Sequence, residues 1–198
     1  MFWDKIAVIY EPMETIYNGK ANESAGNYVA SQIQAEDSVL ECACGTGLFS
    51  RKVAARCRKL TATDFSPKML KKASKKCKKY RNITFENGNI LSLKYADNSF
   101  DKALAANVIH LLDDPDQALS ELKRVVKPGG QLILPVYLNE NNKSAKCAAS
   151  LANKIGANFK RQFTTKSYKQ FYLDRGFNLV DFYVAEGRMS CGIAVLAV

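Results

Sequence analysis

Two acids flank a glycine turn in this chain. The run Ser38-Val39-Leu40-Glu41-Cys42-Ala43-Cys44-Gly45-Thr46-Gly47 carries an apolar strand through Glu41 into a turn with Gly45 and Gly47, and a helix pattern over 47–57 follows at once. Glycine has no Cβ, so the backbone there turns tightly and comes close to a ligand. The first amides of the next helix then point toward whatever occupies the turn. Asp64 ends the following apolar run, Leu60-Thr61-Ala62-Thr63, where a strand tip offers a carboxylate to the two hydroxyls of a ribose. Together these residues describe a nucleoside-bearing ligand lying across the carboxyl ends of parallel strands.

The elements that must position them are legible around the turn. The pattern predicts strands at 38–42, 60–64 and 82–86, alternating with helices over 47–57 and 66–79. Ser66 suits an N-cap and Pro67 the first helical position. Gly88 to Ser99 reads as a polar loop, followed by a strand at 100–106 and a helix from Pro115 to Val126 that Lys127-Pro128-Gly129-Gly130 stops. A fifth strand is expected over 131–138, a helix from Thr165 to Arg175 ended by Gly176, and β-rich runs at 177–185 and 190–198. Only Glu186-Gly187-Arg188 and its neighbours separate these last runs, so they pair antiparallel, because a parallel return needs a longer crossover. The expected fold is α/β, Rossmann-like and doubly wound, with a mainly parallel seven-stranded sheet ending in an antiparallel hairpin.

One domain is expected for 198 residues of which 47% are hydrophobic. Within it, 1–36, with a helix from about Glu23 to Gln34, reads as an N-terminal cover. Residues 37–138 form the cofactor-binding core, 139–163 a lid or insertion with a helix over Ala145 to Ile155, and 164–198 the last helix and strand pair. No run approaches the ~18 apolar residues of a membrane span and no signal-peptide layout begins the chain, so a soluble, cytoplasmic protein is expected. Cys42, Cys44, Cys57, Cys77, Cys147 and Cys191 include one C-x-C and no C-x-x-C, beside a single histidine, which predicts buried free thiols and no metal site.

The net charge is +10, and Lys68, Lys71, Lys72, Lys75, Lys76 and Lys79 recur at helical spacing as one basic stripe. Met69, Leu70, Ala73 and Cys77 would face the core. The stripe reads either as a solvated face or as a weak contact for an anionic surface, without the aromatic or arginine interleaving used for base stacking.

Four motifs in order now carry a resemblance: Val39 to Gly47; Ala62-Thr63-Asp64-Phe65-Ser66-Pro67-Lys68-Met69-Leu70; Ser99-Phe100-Asp101 with Ala106-Asn107-Val108-Ile109-His110; and Leu122-Lys123-Arg124-Val125-Val126-Lys127-Pro128-Gly129-Gly130. Over about Asp37 to Val136 the chain resembles the class I S-adenosylmethionine-dependent methyltransferases, most closely the small-molecule group similar to the ubiquinone and menaquinone biosynthesis enzymes. The resemblance implies S-adenosylmethionine as cofactor and a small-molecule methyl acceptor, with no dedicated nucleic-acid domain and no transmembrane segment. It places Glu41, Ala43, Gly45 and Gly47 around the amino acid end of the cofactor and Asp64 on the ribose hydroxyls. Phe65 and Met69 pack on the adenine, Asn89 and Ile90 edge it, and Asn107 and Val108 approach the methyl group. His110, just beyond the fourth strand, is the candidate general base. Tyr17, with Tyr10 and Tyr137, is a candidate for the wall of the site.

Two residues depart from the family pattern. Ala43 stands where the first glycine is usual and should be tolerated if its φ is negative. Asn89 stands where an aspartate commonly accepts from the adenine amine, and it can accept only through a neutral carbonyl oxygen. Two other readings stay open on the residues alone. Gly45-x-Gly47-x-x-Ser50 partly imitates the dinucleotide fingerprint of an NAD(P)-dependent oxidoreductase, and the lysine stripe would serve a non-catalytic cofactor- or RNA-binding protein.

Overall fold

The computed structural model describes residues 18–140 and 160–198. A seven-stranded sheet is its spine, in the order β3-β2-β1-β4-β5-β7-β6. The strands are β1 (Ser38–Cys42), β2 (Lys59–Asp64), β3 (Ile83–Asn87), β4 (Phe100–Ala105), β5 (Val126–Tyr137), β6 (Asn178–Ala185) and β7 (Cys191–Ala197). β1 to β5 are parallel, and β7 enters antiparallel between β5 and β6. Chain order reverses between β1 and β4, so a crevice opens at their carboxyl ends, where ligands of open α/β sheets bind.

Residue alternation sorts the strand side chains onto two faces. Leu40, Ala103, Ala105, Leu132 and Leu134 join one apolar cluster, while Val39, Leu104 and Ile133 join the other. The second face is covered by α1 (residues 18–31), α2 (Ser50–Ala54) and α3 (Pro67–Lys76) through Ala25, Val29, Val53 and Ala73. The first is covered by α4 (Pro115–Val125) and α5 (Thr165–Leu173) through Leu119, Leu122, Tyr168 and Tyr172. A central lysine would be out of place in such a sheet, yet Lys102 of β4 is buried. Its Nζ pairs with Asp37 at 3.0 Å and donates to the Gln32 carbonyl just past α1, a favourable end of a helix for a cation.

Several boundaries move from those expected. α2 is only five residues long, because the chain winds through turns from Gly45 to Phe49 before the helix begins. The helix of the N-terminal segment begins by residue 18, ends at 31, and is a packing layer: Tyr28 stacks on Tyr183 of β6 with ring centroids 4.4 Å apart. α3 keeps the expected Ser66 cap, whose oxygen accepts from Met69 N, but stops at Lys76. Lys127 to Gly130 follow α4 as expected yet already belong to β5, which pairs with β4 at Val126 and again from Gln131 across a shift in register. The helix expected over 145–155 lies outside the described residues.

α5 is tied to the sheet by a buried hydroxyl relay. Tyr172 donates to Tyr168 at 2.7 Å, and Tyr168 donates to the Leu134 carbonyl of β5 at 2.8 Å. Tyr168→Phe breaks both links and should cost about 1–3 kcal/mol, whereas Tyr172→Phe removes only the outer one and should cost about 1 kcal/mol, as measured by urea unfolding.

Candidate functional site

The turn after β1 is built from left-handed residues. Ala43, Gly45 and Gly47 have φ of 54°, 55° and 84°. Ala43 therefore does not meet the condition of negative φ under which an alanine sits there freely; its Cβ strains against the backbone where a glycine would not. The two glycines differ in purpose. A Cβ on Gly45 would meet nothing within 4 Å, so this residue opens onto empty space. A Cβ on Gly47 would come within 3.2 Å of Ala73, so this glycine lets the turn pack against α3.

Glu41 lies beneath that turn, almost wholly buried, and its Oε2 accepts from the Ser50 hydroxyl at 2.6 Å. Burial pushes its carboxyl from 4.5 up to about 8; the Ser50 hydrogen bond works against this and nearby Asp64 adds to it. At neutral pH the acid is held protonated, ready to ionise for a cation. Asp64, at the tip of β2, is also buried and joins the two loops. One oxygen accepts from Gly45 N at 2.8 Å and the other from Ser66 N at 2.8 Å. A carboxylate oxygen can accept from more than one donor.

Past Asp64 the chain exposes Phe65, a large apolar side chain 56% open to solvent, while Met69 one turn into α3 is buried. The 88–99 loop stands opposite and is held firmly. Arg124 of α4 donates to the carbonyls of Leu93 and Tyr95 and to Asp97, and is steadied by Glu121, which also accepts from Leu93 N. Within this loop Asn89 Oδ1 accepts from Leu91 N at 3.0 Å, and Ile90 is buried. Asn107, after β4, has φ 53°; its amide donates to the Pro135 carbonyl and its side chain accepts from Tyr137 N at 3.0 Å. Its side chain thus braces β4 to β5.

These tips enclose a cavity of about 360 Å³. Its wall includes Glu41, Ala43, Gly45, Asp64, Phe65 and Met69 on one side and Asn89, Ile90, Asn107 and Val108 on the other. The structure thus brings ten of the expected cofactor residues together; Gly47 stands behind the wall, and Tyr17, like Tyr10, lies outside the described residues. Sequence reasoning missed Leu111 and Leu112, which line the cavity from a turn of 3₁₀ helix at Ile109–Leu111, and Ser50, the partner of Glu41. Apolar residues just past a strand tip were the available signal for the leucines; Ser50 meets Glu41 only once the turn is folded.

His110 does not line the cavity. It is buried, its carbonyl accepts from the amides of Lys160 and Arg161, and burial pushes its imidazole down to about 4. Tyr137 is not among the residues lining this cavity; its hydroxyl donates to Asn22 of α1 at 2.6 Å. Five cysteines are free and buried as expected, and Cys147 lies outside the described residues. Burial pushes the cavity-lining Cys44 thiol well above its usual range, so it is a wall and not a nucleophile.

A family model for a methyltransferase domain matches residues 40–134. The ubiquinone/menaquinone biosynthesis C-methyltransferase of Bdellovibrio bacteriovorus is 40% identical over 107 residues, covering 52% of this chain and 46% of that protein. The chain spans about half the length of the curated relatives it matches. A methyltransferase structure from Thermotoga maritima, given as a possible histamine N-methyltransferase, aligns with a TM-score of 0.77 at 22% identity over 99% of this chain and 98% of that one. The N-methyltransferase NodS of Bradyrhizobium japonicum, solved with S-adenosyl-L-homocysteine, aligns with a TM-score of 0.67 at 21% identity, covering 89% and 84%. Residues 40–134 are thus similar to a methyltransferase domain, this core is similar to that of the quinone-biosynthesis C-methyltransferases, and the fold is shared with solved methyltransferase structures.

Two stability measurements check the geometry. Ala43→Gly should stabilise the fold by about 0.5–1 kcal/mol by relieving the left-handed strain. Glu41 keeps its proton in the folded state up to about pH 8 but releases it near 4.5 when unfolded, so stability should fall as pH rises through that interval. Glu41→Gln should flatten this dependence and raise the melting temperature at pH 8, by about 2–4 °C for each kcal/mol relieved.

Proposed function

We propose that the chain transfers a methyl group from S-adenosylmethionine to an apolar small molecule. The observation that carries this reading is the pair of buried acids, Glu41 and Asp64, on either side of an open Gly45, at the switch point of the sheet. The residues fit the cofactor. Glu41 would hold its ammonium, Asp64 its ribose hydroxyls, Phe65 and Met69 the faces of its adenine, and Asn89 and Ile90 the edge. Asn107 and Val108 would stand near the methyl.

When bound, the cofactor supplies an electron-poor methyl carbon on a sulfonium whose thioether leaves neutral. The chain's own residues then have to align and to exclude water. Val108, Leu111 and Leu112 offer an apolar wall to the acceptor. Among the described residues, the only carboxylates on the wall are Glu41 and Asp64, both given to the cofactor, and His110 stands off it. Alignment, not proton removal by His110, is the contribution this arrangement favours. The methyltransferase match supports this reading over a nicotinamide oxidoreductase or a non-catalytic binder.

The basic face of α3, with Lys68, Lys71 and Lys75, would add weak contacts to anionic surfaces, lost at high salt; Lys79 lies beyond the end of the helix. No helix among the described residues is long and apolar enough to cross a membrane, and the buried free thiols accord with a cytoplasmic setting.

Incubation with methyl-labelled cofactor and cell metabolite extracts should move label into an apolar small molecule; no transfer and no binding of S-adenosylhomocysteine would end the reading. Asp64→Ala should weaken S-adenosylhomocysteine by about 1.5–3 kcal/mol in calorimetry, and it should also lower fold stability, because Gly45 and Ser66 lose their acceptor. Because an ammonium favours the ionised form of Glu41, binding should release a proton and tighten as pH rises from 6 toward about 8. Calorimetry in buffers of different ionisation enthalpy reads this release directly.

A further inference from the structure

We propose that the flank formed by α2, α3 and the turn after α3 is a docking surface for a nucleic-acid phosphate backbone, held by charge and not by base reading. The proposal names a partner for the weak anionic contact suggested above for α3, and it does not depend on the cofactor reading. The basic excess of this chain is not spread over it. Residues 51–81 carry thirteen of the 29 lysines and arginines but one of the 19 acids, Asp64, which leaves sixteen cations against eighteen acids in the rest of the chain. That one acid is buried and accepts from the amides of Gly45 and Ser66. The segment therefore offers solvent cations alone.

The fold gathers them on one side. α2 and α3 cover the same face of the sheet, and Gly47 lets α3 approach the turn that leads into α2. Arg51, Arg56, Lys68, Lys71 and Lys75 are exposed, and among the described residues no carboxylate pairs with any of them. Lys52, by contrast, is spent on Glu23 of α1. An α-helix rises about 1.5 Å per residue, so Lys68, Lys71 and Lys75 make a row about 10 Å long. Lys78, Lys79 and Arg81 follow, exposed, beyond the helix end. Like charges at this density repel one another; a polyanion relieves that repulsion and gives up its condensed counterions on binding. A lipid surface suits this face less. A helix that seats in a bilayer interface keeps apolar residues to sink into it. In α3 Met69 and Ala73 are buried in the core, and the exposed large hydrophobics of the described residues, Phe65, Leu173 and Val180, lie on the cavity wall, at the end of α5 and in β6.

The test is fluorescence anisotropy with a labelled oligouridylate of about 20 nucleotides over a series of salt concentrations. Wild type should bind with a Kd of about 1–100 μM near physiological salt, and log K should fall against log salt with a slope of about −3, at roughly 0.7 for each phosphate neutralised. Lys71→Glu with Lys75→Glu should weaken binding at least about tenfold. Lys123→Glu with Lys166→Glu, exposed positions on α4 and α5 across the sheet, changes net charge equally and should stay within about threefold of wild type. Lys71→Gln with Lys75→Gln adds no carboxylate and serves should the reversed pair fail to fold; it should flatten the slope by about 1. Equal losses in the two reversed pairs would overturn the proposal, because net charge alone would then be read. Absence of saturable binding by wild type would overturn it too, as would binding to phosphatidylglycerol vesicles without binding to the oligouridylate.

Discussion

The carboxylate of Asp64 holds the site together. It is the side chain through which the tip of β2 reaches the turn after β1, by accepting from Gly45 N, and it caps its own loop by accepting from Ser66 N. These two bonds fix the distance between the glycine turn and the start of α3, and with it the mouth of the cavity. A buried carboxylate is costly unless donors surround it, and here the backbone supplies them. Because a carboxylate oxygen can accept from more than one donor, the group that builds the site is also the one proposed to bind ribose hydroxyls in it.

Glu41 is the contrasting case. It has one described hydrogen-bond donor, Ser50, and too little solvation to stay ionised at neutral pH. Its burial is a standing cost to the folded protein that only a cation in the cavity would offset. The remainder of the wall is kept in place from behind. Gly47 allows α3 to approach, Asn107 braces β4 against β5, and Arg124 ties the 88–99 loop to α4. The floor is thus rigid before any ligand arrives, which lowers the ordering cost of binding.

Much of this was legible in the chain because the relevant signals are local. Alternating apolar runs gave the strands, Ser66-Pro67 gave the start of α3, and the short link after Ala185 gave the antiparallel close of the sheet. Glu41, Asp64 and Gly45 could be placed because strand tips in a parallel sheet all open on one side. What the residues hid was nonlocal or conformational. The left-handed φ of Ala43 runs against the preference of alanine and is imposed by the turn that Gly45 and Gly47 share. His110 sat close in sequence to the expected methyl position, yet the 3₁₀ turn carries it behind Leu111 and Leu112. Asn89 was expected to accept from a ligand, and only the folded loop shows that its oxygen also accepts from Leu91 N.

The central claim is that two buried acids hold opposite ends of one sulfonium nucleoside. A crystal structure with S-adenosylhomocysteine tests it most directly. The account predicts the amino group within hydrogen-bond distance of a Glu41 oxygen, and both ribose hydroxyls on Asp64, whose bonds to Gly45 and Ser66 persist. A ligand seated elsewhere, or one whose ribose leaves Asp64 with backbone partners alone, would contradict it.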